Sequence, residues 1–220
     1  MSPSNVSRLA LALLGCVLVA GCSSGGGGGS TGESKKAVES IRGTRQELVK
    51  AKQEVQQANA ALDKLVAGGN VGQSYSQFTK EVADVKAGGD RARARAQDMR
   101  ERGRQYVANW EKETEQITSP ELKAGAEQRR AKVKQNYDEI TSAAHAARDA
   151  YQPYLRDLQD IQRALANDLT PAGVDAARSA IEKAKANGET LQQRLDTLIA
   201  ELDEVGGSMS PAGERQAASK

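Results

Sequence analysis

Aromatic side chains are scarce, at 3% of 220 residues with one Phe and one Trp. A chain so short of bulky side chains cannot fill a wide spherical core; it can fill narrow seams between helices. Histidine occurs once, as His145 in TSAAHAARDA. Counting heptads from Ile140 sets His145 on an outer helix face, with Asp149 one turn on. One His without a second, and without Cys beside it, makes no metal set. No Ser or Cys nucleophile has matching spacing. The segment AGGNVGQ at 67–73 lacks the preceding strand and the Lys of a phosphate-cradling loop. No catalytic residue, metal or cofactor is therefore expected.

Long apolar runs are nearly absent too, except near the start. Leu9 to Ala20 (LALALLGCVLVA) follows Arg8 and has the length of a signal-peptide core, short for a bilayer span. It ends in Val19, Ala20, Gly21 and Cys22, which resemble the lipobox of bacterial lipoproteins. The resemblance implies cleavage after residue 21, a diacylglycerol on the Cys22 sulfur and an N-acyl group on its new amine. Ser23, where inner-membrane retention would show Asp, points to an outer-membrane anchor with the chain on the periplasmic face. Cys16 leaves with the signal, so no free thiol, disulfide or Cys-based metal site is expected in the mature chain.

Charge is plentiful but nearly balanced: 31 Lys and Arg against 29 Asp and Glu. Losing Arg8 leaves an excess of one positive charge, which gives no basis for nucleic-acid binding. The arginine-rich stretch GGDRARARAQDMRERGR at 88–104 alternates like a strand when read in twos. Read in sevens, Gly89, Ala92, Ala96, Met99 and Gly103 continue a helical seam, and the arginines spread over its flanks.

Ala, Arg, Gln, Glu, Lys and Leu dominate the rest, the profile of long helices. The expected organisation is a signal peptide at 1–21, the lipidated Cys22 and a Gly/Ser linker at 22–33, a helical bundle at 34–205 and a disordered tail at 206–220. Within the bundle, Ile41, Leu48, Val55 and Leu62 mark a first helix beginning near Glu33. A second runs from about Ser74 to Ile117. Ser119-Pro120 and Thr170-Pro171 each read as a cap followed by Pro at the first helical position. They start a third helix with Leu122, Ala126, Val133 and Ile140 on its seam, and a fourth ending in Leu heptads. Short turns force antiparallel neighbours. The expected fold is all-α: an elongated antiparallel four-helix bundle or coiled coil.

Helices two and three, at ~65–75 Å, outrun their ~50 Å partners. The excess, from Tyr106 to Val133, is expected to project as a helical hairpin. Tyr106 and Trp110 near its tip, with Arg129 or Arg130 placed for a cation–π contact, are the expected partner-binding surface. A structural bend is expected where Gly88, Gly89, Tyr151, Pro153 and Gly188 fall at one height, with Gly188 facing Tyr151. Pro153 removes a helical hydrogen bond there.

The stretch from Tyr75 to Val205 resembles an uncharacterised family of bacterial helical proteins, the domain of unknown function 2959. The matching segments are SQF at 76–78, NWEKE at 109–113, SPEL at 119–122 and YQPYLRDLQDIQRALANDLTPAGVDAA at 151–177. The resemblance implies a helical fold and carries no activity. The resulting functional expectation is a lipid-anchored scaffold or adaptor module. It would contact the membrane through its anchor and an envelope protein, or itself, through its helices. The alternatives are a helical module that engages anionic lipid at the membrane surface and a lipoprotein tethered to peptidoglycan through Lys220 in the C-terminal tail.

Overall fold

The computed structural model describes residues 28–209, and within them the chain forms five helices: α1 (Gly28–Val66), α2 (Val71–Glu115), α3 (Pro120–Asn167), α4 (Pro171–Ala176) and α5 (Arg178–Met209). The expected lipobox residues Val19, Ala20, Gly21 and Cys22, and the terminal Lys220, lie outside the described residues.

Each turn between the long helices is specified locally. Gly68 and Gly69 take φ of +82° and +94°, a left-handed conformation that stops α1 without strain. The Asn70 side chain then accepts a hydrogen bond from the Gln73 N–H at 3.0 Å and starts α2. Ser119 caps α3 by accepting from the Leu122 N–H, and Thr170 caps α4 by accepting from the Gly173 N–H. Both caps are followed by Pro, as the sequence leads one to expect.

With such short turns the four long helices run up and down in chain order. α1 packs along α2 and α5, and α3 packs along the same two helices. The seams are the expected heptads: Ile41, Leu48, Val55 and Leu62 on α1, Phe78, Val82 and Val85 on α2, Leu158, Ile161 and Leu165 on α3, and Leu191, Leu195, Leu198 and Leu202 on α5 are all buried. Polar ties hold the seams in register. Arg45 meets Asp203 and Lys52 meets Asp196, both at 2.5 Å, and Lys185 reaches Asp63, all between α1 and α5. Asp157 on α3, only 9% exposed, is held by Lys183 at 2.8 Å and Asn187 at 2.6 Å from α5.

Three boundaries and one burial depart from expectation. α1 begins at Gly28, inside the expected linker, because its first turns have a surface to pack on: Ala37 and Val38 are buried. α5 runs to Met209, inside the expected tail, since Met209 packs against the core and Gly206 sits against Ile41. The expected fourth helix is divided at Ala177, whose N–H bonds to both Gly173 and Val174 carbonyls in a tightened turn. Leu122, expected on the α3 seam, is 67% exposed. It lies in the first turn of α3, at the end of the α2–α3 hairpin, where no third helix arrives to cover it.

Three close helix approaches depend on glycine. A Cβ on Gly103 would lie 2.6 Å from the ring of Tyr137, one on Gly89 would meet the ring of Tyr151, and one on Gly188 would lie 2.8 Å from the ring of Tyr154. Gly43, by contrast, has open space where a Cβ would go. Ala at Gly43 should therefore gain about 0.5–1 kcal/mol of helix propensity. Ala at Gly103 should lose about 1–3 kcal/mol as the tyrosine is displaced. Thermal unfolding should show Tm shifts of opposite sign for Gly43→Ala and Gly103→Ala.

Candidate functional site

Two regions gather side chains that the sequence singles out: the hairpin tip and the middle of the bundle. At the tip, Tyr106 and Trp110 sit one turn apart on α2, both half-buried, with ring centroids 5.6 Å apart and planes tilted by 53°. The expected cation–π partner is engaged elsewhere: Arg130 reaches across from α3 to Glu111 at 2.7 Å. Arg129 is exposed, with its guanidinium folded back near Gly125. An opposite charge one residue beyond Trp110 draws Arg130 off the ring, since an ion pair with a carboxylate outweighs an exposed ring face. Thr114, buried beneath Trp110, returns its hydroxyl proton to the Trp110 carbonyl at 2.8 Å. With Ala126 buried opposite, the tip has its own small core, and Leu122 stands outside it.

α1 runs alongside the hairpin past its base, to Gly28, whereas α5 ends there. Ser34 on α1 hydrogen-bonds the Tyr106 hydroxyl, and burial raises the pKa of that phenol. The Asp157 ties between α3 and α5 place Met209 roughly level with Val133, so α5 stops where the hairpin begins to project.

In the middle of the bundle, the residues of the expected bend are distributed over distinct contacts. Gly88 leaves room for Glu54 of α1, whose carboxylate also accepts from Arg91 at 2.5 Å; burial raises the pKa of Glu54, and Arg91 opposes that. Gly89 receives Tyr151, whose hydroxyl donates to the Val85 carbonyl at 3.5 Å. Gly188 receives Tyr154 and Asn59 rather than the expected Tyr151, one turn away. Tyr154 is fully buried and crosses the bundle, donating to Asn59 Oδ1 at 2.9 Å. Pro153 lies inside α3, which continues as one helix from Pro120 to Asn167.

Sequence reasoning missed what lies below this level. A cavity of about 300 Å³ occupies the bundle between Tyr151 and Ile140. Its floor is aliphatic: Leu48 and Val55 from α1 and Leu191, Leu195 and Leu198 from α5. Its α2 and α3 walls set four alanines, Ala92, Ala96, Ala144 and Ala147, between the larger Val85, Met99, Ile140 and Tyr151. Every exposed residue that lines it belongs to α2 or α3: Arg93, Gln97 and Arg100 on one side, His145 and Arg148 on the other. The cavity therefore opens between those two helices. His145 is on the outer face, as heptad counting gives, and it borders that opening. The only signal in the sequence was the run of small residues on both facing seams.

No curated protein and no solved structure matches the chain. A family model described as "Protein of unknown function (DUF2959)" matches residues 30–209. The chain belongs to that family. The match takes in α1 as well as the stretch from Tyr75 to Val205 in which the resemblance is legible, so it spans the whole four-helix body. Among the described residues no helix is long and apolar enough to cross a membrane, and no group of three or more His, Cys, Asp or Glu could hold a metal.

Two buried phenols give this body an alkaline limit. Burial pushes Tyr137 up to about 12 and raises Tyr154 as well. In the unfolded chain both ionise near ~10. Between these values the native state holds protons that the unfolded state has lost, so stability falls as pH rises. Each phenol should cost up to about 1.4 kcal/mol per pH unit once pH passes ~10. Thermal unfolding from pH 9 to 11 should show a Tm that falls with pH. Tyr137→Phe, which removes a hydroxyl without a hydrogen-bond partner, should flatten that fall and cost little at pH 7.

Proposed function

We propose that the protein is a lipid-anchored envelope module that works by contact and not by catalysis, holding a partner through the tip of its α2–α3 hairpin. The observation that carries this reading is Leu122. It is a large aliphatic side chain, 67% exposed, at the end of a hairpin that outruns its neighbours. Trp110 and Tyr106 stand half-buried along the same projection. Aromatic anchors beside an exposed aliphatic group are the usual ingredients of a small protein-binding surface.

The anchor is the diacylglycerol and N-acyl lipid on Cys22, with the chain held at the periplasmic face of the outer membrane. What supports it is the VAGC sequence behind an apolar run of signal length. α5 ends at the base of the hairpin and α1 starts about two turns beyond Ser34 towards the tip, so a linker from Cys22 would bring anchor and tip to the same end of the bundle.

The two halves of the reading separate experimentally. Cys22→Ser should abolish palmitate incorporation and move the chain out of the membrane fraction; a Cys22→Ser chain that stays membrane-bound refutes the anchor. A photo-crosslinking residue at position 110 should capture one envelope protein in cells. That product should vanish with Leu122→Glu and be absent when the probe sits at Lys86, remote from the tip. Capture that is indifferent to Leu122→Glu refutes the tip.

A further inference from the structure

The cavity between α2 and α3 is a large space inside the described body that the tip reading leaves unused. Its composition is divided by depth. The deep lining is Leu, Val, Ala, Met and Ile, while the mouth carries Arg93 and Arg100 from α2 and Arg148 from α3. No Asp or Glu lines it anywhere.

The register of the two helices makes the three arginines a group. Gly89 against Tyr151 and Gly103 against Tyr137 set α2 and α3 antiparallel. In that register Arg93 comes level with Arg148, and Arg100 with Thr141. Arg93 and Arg100 are seven residues apart, two turns along one face. Their charges are only partly met by protein. Arg93 lies 3.9 Å from Asp90, and Arg148 pairs with Asp149 at 2.9 Å, both in exposed positions. Asp98, the acid nearest Arg100 in sequence, is taken by Arg102, and Arg100 has no acidic partner among the described residues. The mouth thus presents guanidinium groups to solvent directly above a largely aliphatic space.

We propose that this cavity binds one medium-chain anionic amphiphile, a free fatty-acid-type carboxylate, with its chain among the leucines and its carboxylate at Arg93, Arg100 and Arg148. Size selects the chain. A cavity of ~150 Å³ holds the six carbons of benzene. The present volume of about 300 Å³ therefore holds about a dozen carbons, one medium-length chain and not the two chains of a diacyl lipid. Charge selects the head group: a planar carboxylate matches the guanidinium fork, and an ammonium head would be repelled. The proposal does not rest on the anchor or on the tip, so it stands or falls separately from them.

Calorimetric titration of the full chain with dodecanoate, kept below its micelle concentration, tests this. The expected result is one dodecanoate per chain, with dodecanol and dodecyltrimethylammonium at least about tenfold weaker. Arg93→Glu combined with Arg100→Glu alters two exposed side chains and should weaken dodecanoate about tenfold while leaving dodecanol unchanged. Ala96→Leu should fill part of the cavity and weaken both dodecanoate and dodecanol without lowering Tm. Should the Leu variant fail to fold, the arginine pair decides alone. The proposal is overturned if dodecanoate does not bind or if the cationic amphiphile binds as well as the anionic one. Dodecanoate affinity unchanged by the arginine reversals or by a folded Ala96→Leu chain also overturns it, as does a lysophospholipid binding in preference to the free carboxylate.

Discussion

Three tyrosines on α3 meet three glycines on its neighbours, and the spacing of the bundle follows from those meetings. Tyr137 and Tyr151 are fourteen residues apart, as are their receptors Gly103 and Gly89 on α2. Two heptads therefore separate two identical contacts on one antiparallel seam. Tyr154 turns the other way, onto Gly188 of α5, and reaches Asn59 of α1 with its hydroxyl. In a chain with so few aromatics these rings are among the largest volumes available to a seam. Where one is seated, the partner helix must have no side chain at all. The glycines in the interior of α2 and α5 cost helix propensity, and these contacts are what offsets that cost.

The same constraint explains the space between the contacts. Between the Gly89–Tyr151 and Gly103–Tyr137 levels, both facing helices carry alanine: Ala92 and Ala96 against Ala144 and Ala147. Helices held at a fixed separation by bulky contacts above and below cannot close on small residues in the middle. A cavity is the consequence, and it opens on the α2–α3 side, where its exposed lining residues Arg93, Gln97, Arg100, His145 and Arg148 stand. Arg93 and Arg100 border that opening because heptad positions flanking a seam are the ones that edge any gap in it.

Much of this architecture is legible in the sequence. Heptads identify the buried leucines and valines, and the Ser119-Pro120 and Thr170-Pro171 pairs place two helix starts to the residue. Heptad reasoning fails where its premise, a partner helix at every level, fails. Leu122 occupies a seam position at a height that α5 does not reach, so it is exposed. The first turns of α1 show the converse: glycine and serine at 28–30 read as linker, yet the helix extends through them because Ala37 and Val38 are already anchored. Arg130 illustrates a third kind of limit. Seam counting brings it near Trp110, but choosing between ring and carboxylate needs the position of Glu111, which lies off the seam.

A cavity is harder to read from sequence than a buried side chain because it is a deficit shared among several helices. No one of Ala92, Ala96, Ala144 or Ala147 signals a void, since alanine is at home in any tight helix contact. Only when Tyr137 and Tyr151 are known to hold the helices apart does their smallness become empty volume. The body's one histidine gains meaning the same way. His145 is exposed and unremarkable on its own helix, and the register sets it between Arg148 and the level of Arg100 at the edge of an aliphatic space. Chemistry that depends on register across two helices becomes visible only once the glycine–tyrosine contacts have fixed it.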